Sequence, residues 1–263
     1  MGNKKRRLQA FLREHPTCCY CGGMQPATTE DHWPPRSVFD ERKWPAGYVF
    51  PACQRCQQAT PDDEALFALL CRITAHGDQP IAYEATYRLM MAMKEKEPEI
   101  YRSFLPSANE KRRWFRDHGA SLPPGVATTE IPILSLKHPE VKAKLRRCAA
   151  KLFLSLHYHH TKKILPAFGG MVLAGFSNAV SIEEAGLELL ANMTTKVPHL
   201  RWQQVDVTAQ FNYRYNADTE DGSVSVFMAQ FNNGIGFGAI CVCDLSRIPD
   251  IANETFIRPF GVL

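Results

Sequence analysis

Residues 16–58 read PTCCYCGGMQPATTEDHWPPRSVFDERKWPAGYVFPACQRCQQ. Two C-x-x-C pairs, Cys18/Cys21 and Cys53/Cys56, bracket an Asp31-His32 dipeptide. Each C-x-x-C forms a tight turn that aims two thiolates at one point. Two such turns supply the four ligands of a tetrahedral zinc ion. Gly22-Gly23 follow the first pair and accept the positive φ that these turns use. Cys19 lacks the two-residue spacing to Cys21 and reads as a spare thiol. A four-thiolate zinc has no open position, so its role is to staple a module too small to hold by its core alone. Asp31-His32 is therefore not needed for that metal.

Working outward, two helix starts compete after Cys56. QQATPDDEALFALLCRI has helical spacing directly after the second pair, yet Thr60-Pro61-Asp62-Asp63-Glu64 is itself a helix start, with Thr60 as N-cap and Pro61 at the first position. Arg36, Arg42, Lys43 and Arg55 lie in the same region and are candidates for holding phosphates without reading sequence. Residues 1–60 hold nine Lys/Arg against five acids, whereas the rest of the chain is balanced. A basic surplus on one small module favours a polyanion partner more than the formal net charge of +4 does. Lys4-Lys5-Arg6-Arg7 either tracks a nucleic-acid backbone or is a solvated tail.

C-x-x-C, then D-H-x-x-P, then C-x-x-C followed by a side-chain amide, resembles the zinc-bearing branch of the HNH (ββα-metal) endonucleases. The resemblance covers roughly residues 16–70. It implies a treble-clef module in which Asp31 binds a catalytic divalent cation, Mg2+ or Mn2+, and His32 is the general base. Gln57 stands where the family has an Asn on the same metal. It also implies a DNA substrate and a bacterial or phage setting such as defence. The chemistry is coherent. Phosphodiester hydrolysis needs an activated water, a sink for charge on the pentacovalent phosphate and help for the leaving oxygen. A neutral imidazole suits the first task, and a hard cation on carboxylate and amide oxygens suits the second. Gln57 departs from the family by one methylene, about 1.5 Å, and a displacement of that order costs about a hundredfold in rate. Gln58, Asp62 and Asp63 are alternative ligands. Two other readings stand beside the nuclease: a module that has lost its chemistry and binds nucleic acid or protein, and an RNA-cleaving toxin on the same scaffold.

The rest of the chain sets the frame. Its 263 residues are 45% hydrophobic and 22% charged, ordinary for a soluble globular protein. No stretch reaches membrane-span length, and MGNKKRRLQAFLREH lacks the apolar core of a signal peptide, so the chain reads as cytoplasmic. Nine cysteines then mean metal or buried thiols rather than disulfides. Residues 61–118 read as helices broken by Pro80 and Pro98, including a basic segment with Trp114 and Phe115. His138-Pro139-Glu140 opens a long helix with Val141, Leu145, Cys148, Leu152 and Leu156 on one stripe. It ends in His157, His159 and His160, which serve the helix dipole or, for the pair spaced by three, a second metal. Gly169-Gly170 reads as loop and SIEEAGLELL as a short helix. Val205–Tyr215, SVSVFMAQF and IGFGAICVC alternate with period two, with Asn232-Asn233-Gly234 as a hairpin turn.

The expected fold is α+β: a zinc-stapled ββα module over residues 1–75, a helical segment over 76–125, and a C-terminal α+β domain over 126–263. That domain has a long helix and a small antiparallel sheet. Its role is open, and it is available to a protein partner or regulator.

Overall fold

The basic N-terminal stretch folds as a helix, α1 (Asn3–Glu14), whose Lys4, Lys5, Arg6 and Arg7 are all exposed. This computed structural model describes residues 3–73, 83–117, 119, 125–127, 134–177, 200–203, 205–207, 209–218, 221–232, 234–247 and 256–259. After α1 come β1 (Thr29–His32) and β2 (Val49–Ala52), paired antiparallel with Asp31 opposite Phe50 and His32 opposite Val49. Both competing helix starts are real. Cys53 caps a short helix, α2 (Gln54–Gln58), and Pro61 opens a separate one, α3 (Pro61–Ile73). Three further helices follow: α4 (Tyr83–Lys96), α5 (Pro98–Ser103) and α6 (Ala108–Asp117). Pro98 ends one helix and starts the next, because its ring clashes with a continuing helix but fits a first turn.

The long helix α7 (Pro139–Thr161) starts where the sequence places it. The His138 side chain accepts the Glu140 N–H, and Lys162 closes the helix in the left-handed region. The sheet is larger than the three strands expected. It has five, β3 (Gly170–Ser177), β4 (Arg201–Gln203), β5 (Phe211–Ala217), β6 (Val224–Phe231) and β7 (Ile235–Val242). Their antiparallel order is β3-β7-β6-β5-β4. Gly170 opens a strand rather than a loop, and Gly169 before it lets the chain run close to the Val242 and Cys243 carbonyls. The alternation that begins at Val205 becomes a strand only from Phe211. Asp206 and Gln210 are drawn out of it to bond the backbone N–H groups of Ala46 and Asp40. The hairpin between Phe231 and Ile235 lies where Asn232-Asn233-Gly234 predicts it, with Asn232 at φ 49°. SIEEAGLELL and Pro80 lie outside the described residues.

The interior is continuous. Trp33, Tyr48 and Phe50 near the cysteines, Phe67 of α3, Leu152 and Phe153 of α7, and Phe211, Phe227 and Phe231 of the sheet belong to one buried cluster. α7 runs through its middle, with one face on the sheet and the other on α3 and the cysteine region. Among the described residues no helix is long and apolar enough to cross a membrane.

Candidate functional site

The four cysteines meet. The sulfurs of Cys18, Cys21, Cys53 and Cys56 all lie within 4.8 Å of one another and are buried. Local backbone geometry puts them there. Cys18 N–H bonds the Gln25 carbonyl at 3.0 Å, closing the first turn, and Gly22 and Gly23 take φ of 68° and 80° within it. Any Cβ on Gly22 would lie 2.5 Å from the Ala167 nitrogen, so no side chain fits there. Backbone N–H groups point at sulfur, Tyr20 N to Cys18 Sγ at 3.4 Å and Cys56 N to Cys53 Sγ at 3.5 Å. Hydrogen bonds among the four thiols hold Cys21 well below, and Cys56 well above, the ordinary thiol value. Four soft, buried donors at this separation are placed to hold a metal ion such as zinc. Cys19 takes no part; its N–H bonds Pro51 O at 3.0 Å, and burial raises its thiol pKa.

Asp31 and His32 follow each other in β1, so their side chains leave opposite faces. Asp31 turns inward. Its Oδ1 accepts the His32 N–H at 3.0 Å, and its Oδ2 lies 2.9 Å from Lys151 Nζ of α7. His32 stays half-exposed on the rim. Arg36 Nη2 donates to His32 Nε2 at 3.1 Å, and the Arg36 guanidinium lies 3.7 Å above the Trp44 ring. A guanidinium has no acceptor, so Nε2 is the acceptor and the neutral ring carries its proton on Nδ1. Burial and then the Arg36 charge lower the His32 pKa, and Glu30 and Asp31 oppose them. The imidazole is therefore neutral at pH 7. Trp44 meets the His32 ring edge-on at 4.9 Å. His32, Arg36 and Trp44 thus form one half-buried notch with a neutral base, a cation and an aromatic floor.

The other candidates disperse. Gln57 Nε2 donates to the Glu30 carbonyl at 3.4 Å, which ties α2 to β1. Arg42 and Arg55 are exposed, and Lys43 pairs with exposed Glu41. Asp63 is held bidentately by Arg147, at 2.6 and 3.0 Å, and is committed to α7. His157 and His160 do not share a metal: Nδ1 of His157 bonds Ser225 at 2.8 Å, and Nε2 of His160 bonds the Tyr213 hydroxyl at 2.8 Å.

A catalytic Mg2+ or Mn2+ at Asp31 does not fit these residues. Asp31 Oδ2 already faces an ammonium, and its Oδ1 already accepts a backbone N–H. The residue that sequence reasoning missed is Lys151. Its signal was there: a lone lysine inside the apolar run Ala149-Ala150-Lys151-Leu152-Phe153 of a helix needs a buried partner.

No family model matches the chain, and no curated protein or solved structure matches it.

Proposed function

We propose that the protein is an HNH-like nuclease acting on the phosphodiester backbone of nucleic acid, DNA first, through the notch of His32, Arg36 and Trp44. The observation that carries the reading is the Arg36–His32 contact of 3.1 Å, at the strand end where the HNH resemblance places the base. A backbone phosphate attracts the guanidinium, which matches phosphate geometry bidentately. Arg36 then leaves Nε2 free to accept a proton from water. The resulting hydroxide attacks phosphorus, the P–O bond to the leaving oxygen breaks, and the imidazolium returns a proton to that oxygen. Arg36 faces the charge that builds on the phosphoryl oxygens. Trp44 offers a ring face for a neighbouring base and keeps Arg36 near the rim. Exposed Lys4, Lys5 and Arg6 on α1 add backbone attraction, while Arg7 pairs with Glu30 at 2.7 Å beside β1.

The second reading is a module that binds nucleic acid without cutting it, and the Asp31–Lys151 pair favours it. Cleavage of plasmid DNA and of a structured RNA by wild type, His32→Ala and Arg36→Ala decides between them. Cutting that disappears in His32→Ala supports the nuclease. Binding by zinc-loaded wild type that falls in Arg36→Ala, without cutting of either substrate, supports the second reading.

A further inference from the structure

The cation that faces Asp31 comes from the chain itself. Lys151 Nζ lies 2.9 Å from Asp31 Oδ2, 3.1 Å from Glu64 Oε1 and 2.9 Å from Thr60 Oγ1. These oxygens come from β1, the first turn of α3 and the residue before it. The Trp33 and Tyr20 rings lie 4.6 and 5.4 Å from Nζ, and the lysine side chain is 0% exposed. Oxygens from two carboxylates and a hydroxyl, converging on one point, are the ligand set of a hard divalent cation. Here they close on an ammonium. Asp31 Oδ2 has no hydrogen-bond partner among the described residues and meets Lys151 as an ion pair. Mg2+ sits about 2.1 Å from its oxygens. Entering beside Asp31 would bring two positive charges within a few ångströms of each other in a buried pocket, where like charges repel strongly.

We propose that Lys151 is the resident cation of this cage. Its ammonium stands where the HNH resemblance puts Mg2+ or Mn2+, the chain takes up no divalent ion at Asp31, and removing the ammonium turns the cage into a divalent-cation site. The proposal rests on the nuclease reading only for the identity of the position. It holds for the cage whether or not the protein cuts nucleic acid.

The test uses the full-length zinc-loaded protein and Mn2+ alone, with free Mn2+ followed by its EPR signal and no nucleic acid present. The expected result is no stoichiometric uptake by wild type. Lys151→Ala takes up one Mn2+ per chain at least tenfold more tightly than wild type, and Asp31→Asn in that background removes the site. Lys151→Gln, which keeps most of the volume, is the second variant if alanine does not fold. Uptake of one Mn2+ per chain by wild type, lost in Asp31→Asn, would overturn the proposal, because the lysine would then yield to metal. Failure of folded Lys151 variants to bind Mn2+ would also overturn it, because the oxygens would not form a cation site.

Discussion

At the scale of single residues, the Asp31-His32 dipeptide divides into an inward and an outward half. Asp31 is a structural anion and His32 a surface group. A general base contributes about 10²–10⁴ in rate, so His32→Ala should lose at least a hundredfold in a single-turnover cleavage assay with an unchanged melting temperature. Arg36→Lys keeps the charge but loses the planar fork and the stacking on Trp44. It should therefore weaken nucleic-acid binding and retain part of the cleavage. Lys151→Ala belongs to stability instead. It strips the partner from buried Asp31 and half-buried Glu64, at a cost of about 3–5 kcal/mol, read by denaturant unfolding. Burial pulls the Lys151 ammonium down, and Asp31 and Glu64 more than reverse this, so it stays charged. The two cysteine pairs were legible as residue types at a spacing. Lys151 stands out in its apolar run, but a helix read alone does not show which carboxylates cover it.

At the scale of elements, α7 explains more than any other segment. Lys144, Arg147, Lys151, Ser155 and Tyr158 recur at intervals of three and four, so they form one stripe. That stripe is a seam rather than a solvated face. Lys144 pairs with Glu97 at 2.7 Å, Arg147 with Asp63, Lys151 with Asp31 and Glu64, Ser155 with the Tyr20 hydroxyl at 3.0 Å, and Tyr158 with His15 at 2.8 Å. The C-terminal end of α7 makes stability depend on pH. Burial depresses His157 to about 4, and burial with the His159 and Lys162 charges depresses His160 to about 3. Histidines in the unfolded chain titrate near 6.5. Between these values the unfolded chain binds protons that the folded chain refuses, so stability falls as pH drops from about 6.5 toward 4. Melting temperatures across that window should decline, and His157→Gln should flatten the decline. An unchanged slope would contradict the assignment. The start of α7 was readable from His138-Pro139-Glu140 because capping is local. The five-strand order was not, because β3 is joined to the other strands only by long-range pairing.

At the scale of the whole molecule, the C-terminal sheet holds the loop that carries the notch. Gln210 accepts from Asp40 N–H at 2.7 Å, Asp206 accepts from Ala46 N–H at 3.1 Å, and the Tyr213 and Tyr48 hydroxyls meet at 2.7 Å. His159 stacks on Tyr48 with ring centroids 5.0 Å apart. The contacts of Asp206, Gln210 and Tyr213 give this part of the chain a role that its strand pattern alone did not reveal: they hold the loop around Trp44 at Asp40, Ala46 and Tyr48. The cysteine cluster shares its core with α7 and the sheet, so metal removal should not melt it separately. Calorimetry of the Cys53→Ser variant, or of chelated wild type, should show one transition at lower temperature rather than an early local one. Two well-separated transitions would mean that the cysteine-bearing module folds on its own. The cysteine cage was legible in the sequence because its spacing is set by chemistry, whereas the bracing contacts join residues more than 150 positions apart.

The most direct test is nicking of supercoiled plasmid by zinc-loaded wild type, His32→Ala and Asp31→Asn in divalent-depleted buffer, with and without added Mg2+. Zinc content is verified before and after. Wild type is expected to nick without added Mg2+, and His32→Ala is expected not to. Nicking that requires Mg2+ and vanishes in Asp31→Asn would contradict the proposed mechanism, because a divalent ion at Asp31 would then be doing what is proposed for Arg36 and His32.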